Sequence, residues 1–502
     1  MIRIIKKTRT LILFISMIVL LSSCISPSDF SSNTEQNQTE SAIFPDYIYD
    51  SDLAQNCTKY RAAVTETGYY FVTKMISENS ADSTERNLLY YYDINTGTPI
   101  ILCDKGNCRH EDINCKAYLY EHWLDNPKIG VWAINCDFLK TYAYKGQLYM
   151  LAKKDNVECY LNRYDQNYTN EERLACLSEA ERTPRVLVVE ESSSLIYDSC
   201  FYYLTFETDD KTAFQQGCET TFTFCRVKLE IGAVPEKLYS FTFPADYNGF
   251  WTMGGGSAFR IVQSGGDVYC IAAIQYRDAP EKNQVEQRVI RYNEADGAIL
   301  LWEYSGNEKV NLMGAEGEGP AFAAESFMDN AHTLYYTCEE RQPHTGGKAI
   351  RSINLETGES KEIYRNPDSV LSEFSTDGEY FYFFECLKDR PWRIELTGID
   401  REGNVIRRYE FEYIEGKEEA VRKAEESGTD PDLQSLNRSD LKLLIADSRY
   451  LMIGAYDYND YKDFQLQNGV DTKWLIAGIG LIETKDFLSG KNLEVKKLCV
   501  QE

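Results

Sequence analysis

The chain has 502 residues, 53 of them Lys or Arg and 79 Asp or Glu, for a formal charge of −26. Such an excess of acid repels phosphate backbones and excludes nucleic acid as the partner. Aromatic residues make up 13% of the chain and recur in short alternating runs, the mark of half-buried strands rather than helices.

Arg3, Lys6, Lys7 and Arg9 form a positive N-terminal region, followed by an apolar run from Leu11 to Leu21. That run is too short to span a membrane and ends in small residues, as a signal peptide does. Its end, Leu21-Ser22-Ser23-Cys24, resembles the bacterial lipobox. The resemblance implies a signal peptide over residues 1–23 and a lipidated Cys24 as the mature N-terminus. Acyl chains of the palmitate type would then hold the protein to the extracytoplasmic face of the cell membrane, two giving a stable anchor. Residues 24–56, rich in Ser, Asn, Gln, Thr and acids, bury too little apolar surface to offset ordering and read as a flexible tether.

From residue 57 to 502 one unit recurs: a polar turn, an aromatic strand, then a strand pair joined by a Gly-containing hairpin. The turn-plus-strand halves begin at Thr67-Gly68, Lys145-Gly146, Ser193-Ser194, Gly265-Gly266, Asn330-Ala331, Asp377-Gly378 and Asp447-Ser448. Thr96-Gly97, Asp296-Gly297, Thr357-Gly358 and Glu402-Gly403 supply the positive-φ residue a tight hairpin needs. An extra strand precedes each unit: CTKYRAAV, VWAINCDFL, RVLVVE, FRIVQ, AFAAESF, VLSEFS and LKLLIAD. Four strands, seven times over, predict an all-β, seven-bladed β-propeller. The segment Val495 to Val500 is expected as the outer strand of the last blade, an N-terminal strand completing that blade being the alternative. Residues 416–427, GKEEAVRKAEES, predict a short helical insertion with Glu418/Arg422 and Glu419/Lys423 pairs. The Asp-x-x-Thr-Gly hairpins resemble those of quinoprotein-type and TolB-type propellers. With the lipobox, the chain is similar to a group of uncharacterised bacterial lipoproteins with a predicted β-propeller, and this resemblance carries over no catalytic residue.

The long connections are 104–128, 208–218, 243–256, 305–318, 413–440 and 457–472. All join the second to the third strand of a unit, or the fourth to the next first, and so leave from one face, where binding is expected. In the first stand Cys103, Cys108, His110 and Cys115, spaced C-x4-C-x-H-x4-C. Three thiolates and an imidazole fit a tetrahedral structural zinc; one or two disulfides, with Cys57 or Cys136 as further partners, fit equally. The resemblance group carries a cysteine-rich element of this kind. Tyr247, Phe250 and Trp251, beside a glycine run, offer a stacking platform for a glycan or peptide. Asp457, Asn459, Asp460 and Asp463 read as a solvated acidic loop, since they lack the Gly and distal Glu of the EF-hand pattern. Cys200, Cys225, Cys270, Cys338, Cys386 and Cys499 stand in apolar strands and read as small buried hydrophobes. No nucleophile elbow is present, and His122, His332 and His344 are scattered. The expected function is a non-enzymatic binding or scaffold module, with a carbohydrate-active, glycosidase-type enzyme as the alternative.

Overall fold

The computed structural model describes residues 49–52, 54, 62–75, 86–108, 110, 115–119, 121–126, 131–136, 141–154, 158–178, 185–188, 194–208, 220–243, 256–275, 285–306, 326–339, 348–387, 393–412, 441–455, 478–491 and 493–498. Blade 1 holds β1 (Ala62–Val64), β2 (Gly68–Met75), β3 (Arg86–Asp93) and β4 (Thr98–Ile101), with β5 (Tyr118–Leu119) also on β3. A separate hairpin, β6 (Glu121–Asn126) and β7 (Val131–Cys136), follows. Blade 2 is β8 (Thr141–Tyr144), β9 (Gln147–Lys154), β10 (Glu158–Tyr164) and β11 (Glu172–Ser178). Blade 3 adds β12 (Arg185–Val188) to β13 (Ser194–Tyr197), β14 (Cys200–Thr208), β15 (Thr220–Lys228) and β16 (Glu236–Phe243). Blade 4 is β17 (Gly256–Ser264), β18 (Asp267–Gln275), β19 (Val285–Asn293) and β20 (Gly297–Gly306). Blade 5 is β21 (Phe327–Met328), β22 (Thr333–Glu339), β23 (Lys348–Asn354) and β24 (Ser360–Arg365). Blade 6 is β25 (Ser369–Thr376), β26 (Phe381–Leu387), β27 (Arg393–Ile399) and β28 (Val405–Glu412). Blade 7 is β29 (Leu441–Ala446), β30 (Tyr450–Ala455), β31 (Gly478–Glu483), a short helix α1 (Thr484–Leu488) and β32 (Lys496–Lys497).

The core is layered between blades. One buried apolar cluster fills each contact of neighbouring blades, and the seventh joins blade 7 to blade 1 through Leu444, Met452, Leu481, Tyr69, Phe71 and Tyr90. Seven layers for seven blades close the ring. First strands lie innermost, β1 against β8, β13 against β17 and β25 against β29, with β29 returning to β1. The expected seven-bladed, all-β propeller is the fold observed.

All four strands of blade 7 come from the C-terminal end, with β32 outermost as expected, so among the described residues closure rests on packing and side-chain ties and not on a shared strand. Asp447 accepts the Tyr69 hydroxyl at 2.9 and 3.1 Å across the seam. Arg449 pairs with Asp447 at 3.2 Å and donates to the carbonyls of Thr65 and Glu66 at 2.7 Å each. Its guanidinium also lies 5.0 Å from the centre of the Tyr69 ring.

First-to-second and third-to-fourth strand turns share one face, the turn face; the other connections leave from the opposite, loop face. Short Asx turns build the hairpins of the turn face. Asp93 accepts the amides of Asn95 and Thr96, Asn354 those of Glu356 and Thr357, and Asp400 those of Glu402 and Asn404.

Three sequence assignments need correction. VWAINC forms the β6–β7 hairpin, and the inner strand of blade 2 is β8. In blade 3 the turn lies at Asp198-Ser199, both at positive φ, and not at Ser192 to Ser194. Strand β12, inside RVLVVE, pairs only with the far half of β14, and SLIY completes that edge. The helix expected over 416–427 lies outside the described residues.

Candidate metal centre

The outer strand of blade 1 is interrupted. Strand β4 pairs with β3 up to Tyr90, and β5 resumes the pairing at Leu88. Between them Leu89 holds both ends of an excursion: its carbonyl accepts the Leu102 amide at 3.0 Å, and its amide donates to Ala117 O at 2.9 Å. The chain therefore leaves the sheet after Leu102 and is back on the same residue of β3 at Ala117. Leu102 packs with Tyr164 and Tyr168 of blade 2. Lys116 donates to the Thr169 carbonyl and sits 5.4 Å from the centre of the Tyr168 ring. Cys115 and Ala117 are buried on the other side, in the layer shared with blade 7.

The ligand atoms of Cys103, Cys108, His110 and Cys115 lie within 4.8 Å of one another. Nδ1 of His110 is 3.2 Å from Cys115 Sγ, and His110 reaches this position with φ 54°, a left-handed conformation uncommon outside glycine. Each cysteine sulfur receives the backbone N–H two residues on: Lys105 to Cys103, His110 to Cys108 at 3.4 Å, and Ala117 to Cys115. Three N–H donors aimed at three sulfurs favour thiolates, the form a metal binds. Burial opposes ionisation of Cys103, but the Lys105 amide and the Cys108 and Cys115 thiols outweigh it and hold the thiol below its ordinary range. Burial, reinforced by Cys108, pushes the Cys115 thiol up to about 12. Cys103, Cys108 and Cys115 are free thiols. Cys57 and the Cys136 side chain, the further disulfide partners considered, lie outside the described residues.

Cys24, Tyr247, Phe250, Trp251 and the acidic loop 456–464 also lie outside the described residues. Cys200, Cys225, Cys270 and Cys386 are buried free thiols. His332 stands at a turn with φ 56°, its Nδ1 2.8 Å from the Tyr269 hydroxyl and its Nε2 3.5 Å from Glu356. It ties blade 5 to blade 4.

A glycosidase requires two carboxylates free to act on substrate. Glu385 and Glu395 oppose each other on β26 and β27, yet Glu385 is fully buried. Its oxygens accept from Ser369 (2.6 Å), Thr397 (2.7 Å), Asn366 (3.0 Å) and Tyr364 (3.0 Å). This carboxylate binds blade 5 to blade 6. An acid inside the apolar run FYFFECL was the sequence signal for it.

No protein-family model matches the chain, and no curated protein matches it. Solved structures do match in fold. An acylaminoacyl peptidase of Pyrococcus horikoshii aligns over 90% of this chain at 10% identity, with a TM-score of 0.45. Dipeptidyl peptidase 4 of Porphyromonas gingivalis aligns over 88% at 8% identity and a TM-score of 0.37. The β-propeller domain of the trilobed protease of Pyrococcus furiosus, described as having an open velcro topology, aligns over 84% at 8% identity and a TM-score of 0.40. The alignment spans 54% and 52% of the first two, about half their length, and 93% of the third. These neighbours are peptidases or the propeller of one. The expectation of a non-enzymatic scaffold, with a glycosidase as its alternative, is corrected by that finding and is set aside. The likeness is one of fold, and no activity is carried over from it.

Proposed function

We propose that this chain is a lipid-anchored β-propeller whose first blade is clipped by a structural zinc ion held by Cys103, Cys108, His110 and Cys115. One observation carries the reading: four soft or borderline ligand atoms lie within 4.8 Å of one another. In a tetrahedron with metal–sulfur bonds of about 2.3 Å, neighbouring sulfurs stand roughly 3.8 Å apart, so the four need only a small inward shift. Three thiolates and an imidazole fill every position of the tetrahedron, which makes the ion a clip rather than a Lewis acid open to substrate. The excursion needs such a clip, because among its described residues only Cys115 is buried, while Asp104, Lys105, Gly106 and Asn107 are exposed.

The lipobox-like Leu21-Ser22-Ser23-Cys24 supports lipid on Cys24 and an extracytoplasmic location. The Asp-x-x-Thr-Gly hairpin supports kinship with TolB-type and quinoprotein-type propellers of bacterial lipoproteins.

Elemental analysis of protein purified without added metal, together with thiol counting after denaturation, tests the metal. One zinc per chain, lost in His110→Ala, is expected. No metal with two thiols fewer than the sequence provides replaces the zinc with a disulfide, and no metal with all thiols free refutes both.

A further inference from the structure

A second feature stands on the turn face and does not depend on the metal. Residues Tyr49–Asp52 and Ala54 lie across the innermost turns of four blades. The Tyr49 hydroxyl donates to Val64 O at 3.4 Å, where β1 of blade 1 enters its turn. Tyr49 lies close enough to Arg449 and Glu66, on the innermost turns of blades 7 and 1, to feel both charges, and burial pushes its hydroxyl up to about 12. Asp52 Oδ1 accepts the Asp198 amide of blade 3 at 3.1 Å, and its carboxylate also engages Tyr144 of blade 2. Ala54 is buried in the layer between blades 7 and 1. The segment holds its own turn, with Ala54 N donating to Asp50 O at 3.0 Å and Asp52 N to Asp50 Oδ1 at 2.8 Å.

The inner turns of blades 7, 1, 2 and 3 border the axis on one side. The segment is bonded to blades 1, 2 and 3 and packs into the layer that blade 1 shares with blade 7. We infer that Tyr49–Asp52 and Ala54 form a strap that covers the turn-face mouth of the channel and makes the turn face the membrane-proximal one. The loop face, with all the long insertions, then points away from the anchor. The orientation rests on lipid at Cys24; the strap does not. Exposed Asp198, Glu230, Glu356 and Glu402 stud the turn face, so an anionic headgroup surface repels it and the ring stands off the bilayer.

Two measurements test this on the full chain. Hydrogen–deuterium exchange of the peptide spanning Tyr197–Cys200 reads the strap, since the Asp198 amide donates to Asp52. In Asp52→Ala that peptide is expected to exchange roughly tenfold faster while blade 5 is unchanged. Equal rates in both proteins overturn the strap. The orientation is read on lipid vesicles carrying a headgroup quencher, with a fluorescent side chain placed at exposed Ala295 on the turn face or at exposed Asp368 on the loop face. Stronger quenching at 295 is expected. Equal quenching, or stronger quenching at 368, overturns the orientation. A chain that stays off the vesicles refutes the anchor and with it the orientation, and leaves the exchange result to decide the strap.

Discussion

Among the described residues the ring closes without a shared strand, so the seam of blades 7 and 1 is predicted to answer most sharply to substitution at Asp447. In Asp447→Ala the Tyr69 hydroxyl, in a side chain with no solvent exposure, loses the two Asp447 oxygens that accept from it. The amides of Arg449 and Tyr450 lose theirs at 2.8 Å, and Arg449 loses its ion-pair partner. Breaking a buried pair by removing one member costs about 3–5 kcal/mol. Arg449 keeps two carbonyls at 2.7 Å, which places the cost near the lower end, about 3 kcal/mol. Tyr69→Phe removes one hydrogen bond to a charged group, about 1.5 kcal/mol. Urea denaturation followed by intrinsic fluorescence gives the two single changes and the double change. The double variant should fall short of additivity by about 1–2 kcal/mol, because both remove the same bond. Exchange measurements should find β1 and β30 opening before the middle blades. A cost for Asp447→Ala no larger than for the exposed Asp296→Ala, or strict additivity with Tyr69→Phe, would refute the seam as the closing device.

Gly403 has φ +91° and an added Cβ would stand 1.9 Å from Ile363 O, whereas Gly297, at φ +71°, has open space. Gly403→Ala should therefore cost about 3 kcal/mol or more, and Gly297→Ala about 1–2 kcal/mol, as read by thermal or urea denaturation. Glu385→Ala should destabilise by about 3–5 kcal/mol by stranding four buried or half-buried donors, and Glu385→Gln by markedly less, in the same assay. Cys24→Ala should leave the protein unprocessed or release it from the membrane, and mass spectrometry of the extracted wild-type chain should find lipid on Cys24 as the first residue.

Seven blades were legible because the turn chemistry repeats. An Asp or Asn three or four residues before a Gly fixes the outer hairpin of blades 1, 4, 5 and 6 whatever the flanking apolar residues are. The places where the reading slipped lack that punctuation. LIYDSCFYYL reads as one apolar run, yet Asp198 and Ser199 both take positive φ and fold it into a hairpin with no glycine. VWAINC has the alternation of an inner strand, and only its pairing with β6 shows where it belongs. Local pattern gives a strand its period and leaves its neighbour to tertiary context. The cysteine cluster was legible as a set of residue types. Its position after the outer strand of blade 1 was legible too, but the return of the chain to Leu89 was not, because that is a non-local backbone event. The strap was hidden for another reason. Tyr49–Asp52 and Ala54 sit in a polar segment whose composition reads as tether, and they dock through bonds to turns that only the closed ring brings together.

The most direct test of the central claim is X-ray absorption at the zinc edge on protein purified without added metal. A shell of three sulfurs at about 2.3 Å and one nitrogen at about 2.0–2.1 Å is expected, and the zinc signal is lost in His110→Ala. An oxygen-dominated shell, or no zinc signal at one equivalent per chain, would contradict it.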